Sequence, residues 1–235
     1  MSTSILVTGN RGFIASGLDL ENDGLDIKDG ADILTYKAEK KYDVVVHTAA
    51  LTSVTESMRE PQNYFRTNVE GTFNIVKQHP ESHFVYLSTV GVYGEGMYHT
   101  VKTPVNPPSV YCLTKYLGEE VVRFNAKSYL ILRLTNVIGE KTDGEPNVYQ
   151  VFQKEEELSI YGDGFQTRDF IRVEKVRQAI KSLYLEKGIY NIGSGLRQSI
   201  LDLASNFKKP IKFLPARHGE IRHSGVDDAF DFDSE

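Results

Sequence analysis

Ser4-Ile5-Leu6-Val7-Thr8 is an apolar, β-branched run that stops at a glycine, and it constrains the fold more than any other stretch. Such a run reads as a buried strand. Gly9-Asn10-Arg11-Gly12-Phe13-Ile14-Ala15-Ser16 follows, with two glycines three apart and a small residue three further on. That spacing permits a tight turn and lets the backbone approach a diphosphate at a helix N-terminus. A plain strand-turn-helix uses the same residues, so the turn needs partner motifs elsewhere.

The next part is compressed. Only Gly17 to Asp23 separates the turn from Gly24-Leu25-Asp26-Ile27. A dinucleotide fold normally places a helix and a second strand before an acid that binds the adenosine ribose. Asp26 either ends strand two as that acid, or ends strand three beside the adenine with strand two lost. Both readings put Asp26 and Ile27 near the adenosine. Asp32-Ile33 is a rival for the second role, and a solvated loop aspartate suits Asp32 better.

Buried runs recur along the chain. Asp43 to Ala50 is a strand ending in Thr48-Ala49-Ala50, small residues that suit close passage of a cofactor. Tyr64 to Gln78 has Phe65, Val69, Phe73 and Val76 at helical spacing, interrupted by Asn68, a strand-tying or surface amide. His83 to Leu87 is a strand that delivers Ser88-Thr89-Val90 at the edge where open α/β sheets meet ligands. A loop with three prolines runs from Tyr98 to Pro108, a helix follows to about Ala126, and Tyr129 to Leu134 is a strand ending at Asn136-Val137-Ile138-Gly139. Beyond it the alternation weakens into shorter elements, with helices expected over Val148 to Glu157, over Val173 to Leu185 and from about Ser199. This order specifies an α/β fold.

Tyr111 and Lys115 stand on one face of the helix, one turn apart. A lysine ammonium there favours the phenolate, so the pair could form a tyrosine general base; an ordinary amphipathic helix offers the same two residues. The 235 residues carry a net charge of −5, which offers no basic face for duplex nucleic acid. A single cysteine, Cys112, excludes an intrachain disulfide and fits a reducing cytosol. No run is apolar and long enough to span a bilayer, no signal peptide is read and no metal set is assigned.

Taken together, these motifs resemble the extended short-chain dehydrogenase/reductases, specifically the nucleotide-sugar epimerase/dehydratase group. The matches run in order through Thr8-Gly9-x-x-Gly12-Phe13-Ile14, His47-x-Ala49-Ala50, Asn68-Val69-x-Gly71-Thr72, Ser88-Thr89-x-x-Val92-Tyr93-Gly94 and Tyr111-x-x-x-Lys115. They continue through Leu132-Arg133-x-x-Asn136-Val137-x-Gly139, Tyr161 to Ile171 and Tyr190 to Gly195. The resemblance implies a Rossmann-like doubly wound parallel sheet over residues 1–139, its first βαβ unit shortened, with a later strand and helix returning from about 165–192. A small substrate-binding α/β subdomain would occupy most of 140–227, and 228–235 would form an acidic tail. It implies NAD, with NADP as the alternative, held by Gly9, Asn10, Arg11, Gly12, Phe13, Ile14, Asp26, Ile27, Thr48, Ala49 and Ala50. Tyr111 would be base and acid, Lys115 would lower its pKa and bind the nicotinamide ribose, and Thr89 would hold the reacting sugar hydroxyl. Asn136, Arg168, Arg217 and Glu220 would grip the substrate nucleotide, a UDP-sugar, and a cytoplasmic homodimer would form through the helices near 64–78 and 111–126.

The departures sharpen this. Dehydratases of the group follow the threonine with Asp-Glu, and the related decarboxylases carry glutamate at the second position; here Val90 and Gly91 can move no proton. That leaves epimerisation or simple reduction of a keto-sugar, and the likeness of Gly162 to Ile171 and Arg217 to Ser224 to UDP-sugar 4-epimerases favours epimerisation at C4. Thr52 stands where many UDP-glucose 4-epimerases have a lysine. The alternatives are an NADPH-dependent keto-sugar reductase, for which Arg11 would favour the extra phosphate and Asp26 oppose it, and a catalytically silent nucleotide-binding protein.

Overall fold

The computed structural model describes residues 3–140, 146–216 and 221–230. Its strands are β1 (Ile5–Thr8), β2 (Asp23–Leu25), β3 (Val44–His47), β4 (His83–Thr89), β5 (Gly96–His99), β6 (Ser128–Leu134) and β7 (Asn136–Ile138). They continue with β8 (Leu158–Tyr161), β9 (Thr167–Arg172), β10 (Gly188–Ile192), β11 (Arg197–Ser199), β12 (Ile211–Leu214) and β13 (His223–Val226). The helices are α1 (Val54–Arg59), α2 (Pro61–Phe65), α3 (Thr72–Gln78), α4 (Val110–Asn125), α5 (Val148–Lys154), α6 (Val173–Leu183) and α7 (Ile200–Ser205).

Six strands form a parallel sheet in the order β10-β6-β4-β3-β1-β2. Its central strands are buried on both faces, which is why they read as continuous apolar runs. Alternate residues serve opposite faces. Ile5, Val7, Val44, Val46, Val85 and Leu87 meet Val176, Ala179, Ile180 and Leu183 of α6 on one side. Leu6, Val45, Phe84, Tyr86 and Ile131 meet Ile75 and Val76 of α3 and Val122 of α4 on the other. This is the Rossmann-like sheet expected from the sequence.

The shortened first crossover is now explicit. Between β1 and β2 the only helix is a single 3-10 turn, Ala15–Gly17. The expected helix N-terminus behind the glycine turn is therefore absent, because the few residues available cannot form a longer helix and still reach β2. Asp26 directly follows β2, which pairs with β1 as the sheet's edge. The acid thus ends the edge strand that lies next to β1. Asp32 caps its own loop by accepting the Leu34 N–H, while Ile33 is buried against Gly71.

A second sheet runs β11-β9-β13-β5, with β7 also paired to β9. It draws β5 from the start of the expected proline loop and the two residues before it, and both β5 and β7 from within the first 139 residues. The helix expected from Tyr64 to Gln78 is interrupted by a π-helical stretch, Arg66–Gly71. Such wide turns redirect side chains and recur at functional sites; this one turns Asn68 fully inward.

Candidate active site

Helix α4 starts at Ser109, whose Oγ accepts the Cys112 N–H at 3.2 Å. Tyr111 therefore sits in the first turn, where its own N–H is free of intrahelical bonding and is donated to Ser57 Oγ at 3.0 Å. One turn on, Thr114 donates to the Tyr111 carbonyl and accepts from Asn68 Nδ2 at 3.1 Å. Asn68 also brackets Leu51, accepting its N–H at 2.9 Å and donating to its carbonyl at 3.0 Å. This buried amide ties α4 to the loop after β3, not strand to strand, and it fixes the position of Tyr111.

Thr89 ends β4 and accepts the Gly91 N–H at 3.1 Å. Its hydroxyl lies within reach of the Tyr111 phenol and favours the phenolate, so the two expected catalytic side chains face each other. Burial raises the Tyr111 hydroxyl above the usual tyrosine value, Cys112 adds to the rise, and the Thr89 hydroxyl opposes it. The expected lowering by Lys115 is not found. The Lys115 ammonium lies 4.2 Å over the Tyr86 ring, and burial pulls its own pKa down to about 7 against the opposing Glu119. Burial outweighs the pairing for both groups.

Val90 and Gly91 follow Thr89 in a tight turn. A Cβ at Gly91 would stand 2.7 Å from Cys112 Sγ. A side chain at this position would require Cys112 to shift.

The glycine turn lies at the C-terminal end of β1. Gly9 has φ +68°, and a Cβ there would stand 2.7 Å from the Ala49 nitrogen. The Thr48 hydroxyl donates to the Thr8 carbonyl at 2.8 Å and the Gly9 carbonyl at 3.2 Å, so β3 holds the turn against its own end. Asp26 accepts the N–H of Arg11 and of Lys28, both at 3.0 Å. The Arg11 side chain pairs with Asp29 at 2.5 Å. Asn10 packs over Gly24, and its Oδ1 is buried without a partner. An orphaned acceptor, a side-chain-free backbone and an acid at the strand end fit a dinucleotide with ribose hydroxyls to donate. Ile27 beside them is left exposed. His47 bridges Thr8 and Thr72, and burial, with Lys115 adding, pushes its pKa down to about 3. It serves as a neutral strut beneath the site.

On the substrate side, Asn136 donates to the Asp169 carbonyl at 3.4 Å. Arg168 donates to the carbonyls of Thr167, Ile221 and Arg222, and Glu95 accepts the N–H of Arg222 and His223. Arg168 and Glu95 thus anchor the segment after residue 220. Arg217 and Glu220 lie outside the described residues.

The sequence of this chain matches the model of the NAD dependent epimerase/dehydratase family over residues 18–193. The chain belongs to that family. The match begins just past the glycine turn, where the crossover is cut short. A Methanocaldococcus jannaschii protein provisionally named a UDP-glucose 4-epimerase is 36% identical over 88% of this chain and 73% of its own length. The Drosophila melanogaster UDP-glucose 4-epimerase is 33% identical over 79% of the chain and 64% of its own length. Among solved structures, the Thermotoga maritima UDP-glucose 4-epimerase with UDP-glucose superposes with a TM-score of 0.81 at 27% identity, covering 96% of this chain and 90% of that one. As a family member the protein is an NAD-dependent enzyme, and no helix among the described residues is long and apolar enough to cross a membrane.

Sequence reasoning missed the buried support behind α4. Glu119, one turn beyond Lys115, receives two bonds from Arg133 at 3.0 and 2.6 Å and one from Ser88. Arg133 continues to Tyr93, Tyr93 to Asn191, and Asn191 to Asp228. The signal was present as an acid four residues past Lys115 on the same face, opposite an arginine inside an apolar strand.

Proposed function

We propose that this protein is a nucleotide-sugar 4-epimerase acting on a UDP-hexose, with UDP-glucose as substrate. The observation that carries the reading is the facing of Thr89 and Tyr111 at the end of β4, beside Val90 and Gly91, neither of which can move a proton, with Cys112 packed against Gly91. A site with one proton carrier suits hydride and proton movement at one carbinol carbon; elimination of water needs a further acid and base. The names of the archaeal and insect relatives support the same activity.

When bound, NAD supplies reversible hydride acceptance at the sugar C4. Gly9, Gly12 and the backbone from Asn10 to Ile14 hold its diphosphate, Asp26 its adenosine ribose, and Lys115 its nicotinamide ribose. Tyr111 takes the proton of the 4-hydroxyl, which Thr89 orients, and returns it after the 4-keto sugar has turned over. For that step the raised Tyr111 pKa must fall, which requires the Lys115 ammonium to leave the Tyr86 ring and approach the phenol. Asn136, Arg168, Arg217 and Glu220 hold the nucleotide, because turnover needs the anchor away from the sugar. The reductase alternative is opposed by Asp26, whose charge repels a second adenosine phosphate, and by Arg11, which is engaged with Asp29. We further propose a cytoplasmic homodimer: Leu113 and Phe124 share one face of α4 and are exposed, as is Phe73 on neighbouring α3.

Purified protein incubated with UDP-glucose, and separately with UDP-galactose, should interconvert them. Tyr111→Phe should lose roughly 10²-fold or more of the rate, the usual worth of a positioned acid-base group. A wild type that interconverts no UDP-hexose would overturn the reading.

A further inference from the structure

The truncated crossover leaves a physical problem at the turn that the preceding reading assigns to the cofactor. An α-helix following Gly12 would give the carbonyls of Phe13 and Ile14 the N–H groups of Gly17 and Leu18. Only the first such bond forms, from the Ser16 N–H to the Gly12 carbonyl at 2.9 Å. The Leu18 N–H turns back to Ala15, and the helix ends at Gly17. The peptides just behind the turn therefore lack the ladder that would normally orient them.

An arginine from the far end of the chain occupies that place. Arg177 Nε donates to the Ile14 carbonyl at 2.9 Å, and Nη2 donates to the Phe13 carbonyl at 2.8 Å. A Cβ on Gly17 would stand 2.4 Å from Cζ and 2.5 Å from Nη1 of Arg177. The guanidinium therefore fills the space that a side chain at 17 would use. Arg177 projects from α6, whose Val176 and Ile180 pack in the same core cluster as Ala15 and Leu18. Lys181, one turn on, makes a second and more exposed tie to Asp19 at 3.2 Å.

We propose that Arg177 is a positioning residue for the cofactor-binding turn, replacing the missing helix and matched to a glycine at 17. The reasoning is geometric. In a trans peptide the N–H points opposite to the C=O. Holding the Phe13 carbonyl towards Arg177 aims the Ile14 N–H the other way, and holding the Ile14 carbonyl does the same for the Ala15 N–H. A planar fork with two parallel donors suits two successive carbonyls, and a lysine ammonium cannot reproduce it. The charge also polarises both peptides, making their N–H groups better donors to an anion. This proposal rests on the reading that residues Gly9 to Ile14 hold the NAD diphosphate.

The test compares wild type, Arg177→Met, Arg177→Lys, Gly17→Ala and the Arg177→Met/Gly17→Ala double variant. NAD binding is measured by calorimetry on protein stripped of cofactor, and amide hydrogen exchange over residues 12–18 on the same protein without NAD. Arg177→Met should weaken NAD binding about tenfold and speed exchange across the turn. It should raise the KM for NAD while kcat at saturation and UDP affinity stay within about twofold of wild type. Arg177→Lys should recover only part of the affinity. Gly17→Ala, which displaces the guanidinium, should reproduce the Met variant and add little once Arg177 is gone, since coupled sites are not additive. Unchanged NAD affinity in Arg177→Met, or independent addition of the two substitutions, overturns the proposal. Should Arg177→Met fail to fold, Gly17→Ala and Arg177→Lys carry the same comparison. If wild type itself binds no NAD, the reading of the turn fails, while the exchange data still decide whether Arg177 orders it.

Discussion

Lys115 is placed against its own charge. It is almost fully buried, with its ammonium over an aromatic face, and burial brings its pKa from 10.5 to about 7. Between those two pH values the unfolded chain holds a proton that the folded chain lacks, so the stability contribution rises with pH across that window. Below pH 7 both forms are protonated and the full cost stands, on the order of 5 kcal/mol from the shift. Lys115→Met, stripped of cofactor, should therefore melt above wild type at pH 6, with the gap closing towards pH 10. Thermal melts across that range check it; a gap constant with pH would show that Lys115 carries no such cost. In the proposed mechanism the same variant should be inactive at every pH, because there the group that destabilises the fold is the one required beside Tyr111 and the nicotinamide ribose. The pair itself was legible from its spacing. The direction of the Tyr111 shift was not, since spacing says nothing about burial.

Helix α4 is where most local signals agree with the fold. Its extent to about Ala126 and the shared face of Tyr111 and Lys115 were readable in advance, while the Ser109 cap came from the structure. Its approach to β4 was not readable either. A Cβ on Gly118 would stand 2.1 Å from the Tyr86 hydroxyl and 3.2 Å from the Asn68 carbonyl, and Tyr86 is fully buried. Gly118→Ala, normally favourable in a helix, should instead destabilise by about 1–3 kcal/mol through overpacking. Adding Tyr86→Phe should recover part of that loss, and denaturant melts of the two variants measure both. An unshifted Gly118→Ala midpoint would mean that α4 is free to move off the sheet. Asn68 illustrates the same limit: it broke the apolar period of an expected helix, and only the π-helical stretch shows why an amide belongs there.

Across the whole molecule, the six-stranded sheet presents the ends of β1, β3 and β4 to one side, where the glycine turn, Thr48-Ala49-Ala50 and Thr89 gather. The second sheet is assembled from segments far apart in sequence, with β5 beside β13 and β9. Glu95 binds the N–H groups of Arg222 and His223 and so links the loop after β4 to the last described segment. The outer faces of α3 and α4 keep Phe73, Leu113 and Phe124 in solvent. Sedimentation should find a dimer, and Phe73→Asp with Phe124→Asp should yield a folded monomer with an unchanged melting curve at low concentration. A monomeric wild type would refute the dimer.

The order and period of apolar residues determined the parallel sheet, because a strand buried on both faces must read as a continuous run and a helix must show a 3.6-residue stripe. Glycine spacing, the Asp26 position and the Tyr111–Lys115 interval were equally local, and so were legible. Tertiary structure alone decided that the strand before Asp26 pairs with β1 at the sheet edge, where the Lys115 ammonium rests, that Cys112 packs against Gly91, and that Arg177 donates to a carbonyl 163 residues earlier in the chain. Those outcomes depend on pairs brought together by crossovers, and no local period encodes which distant side chain will fill a space left by a missing helix.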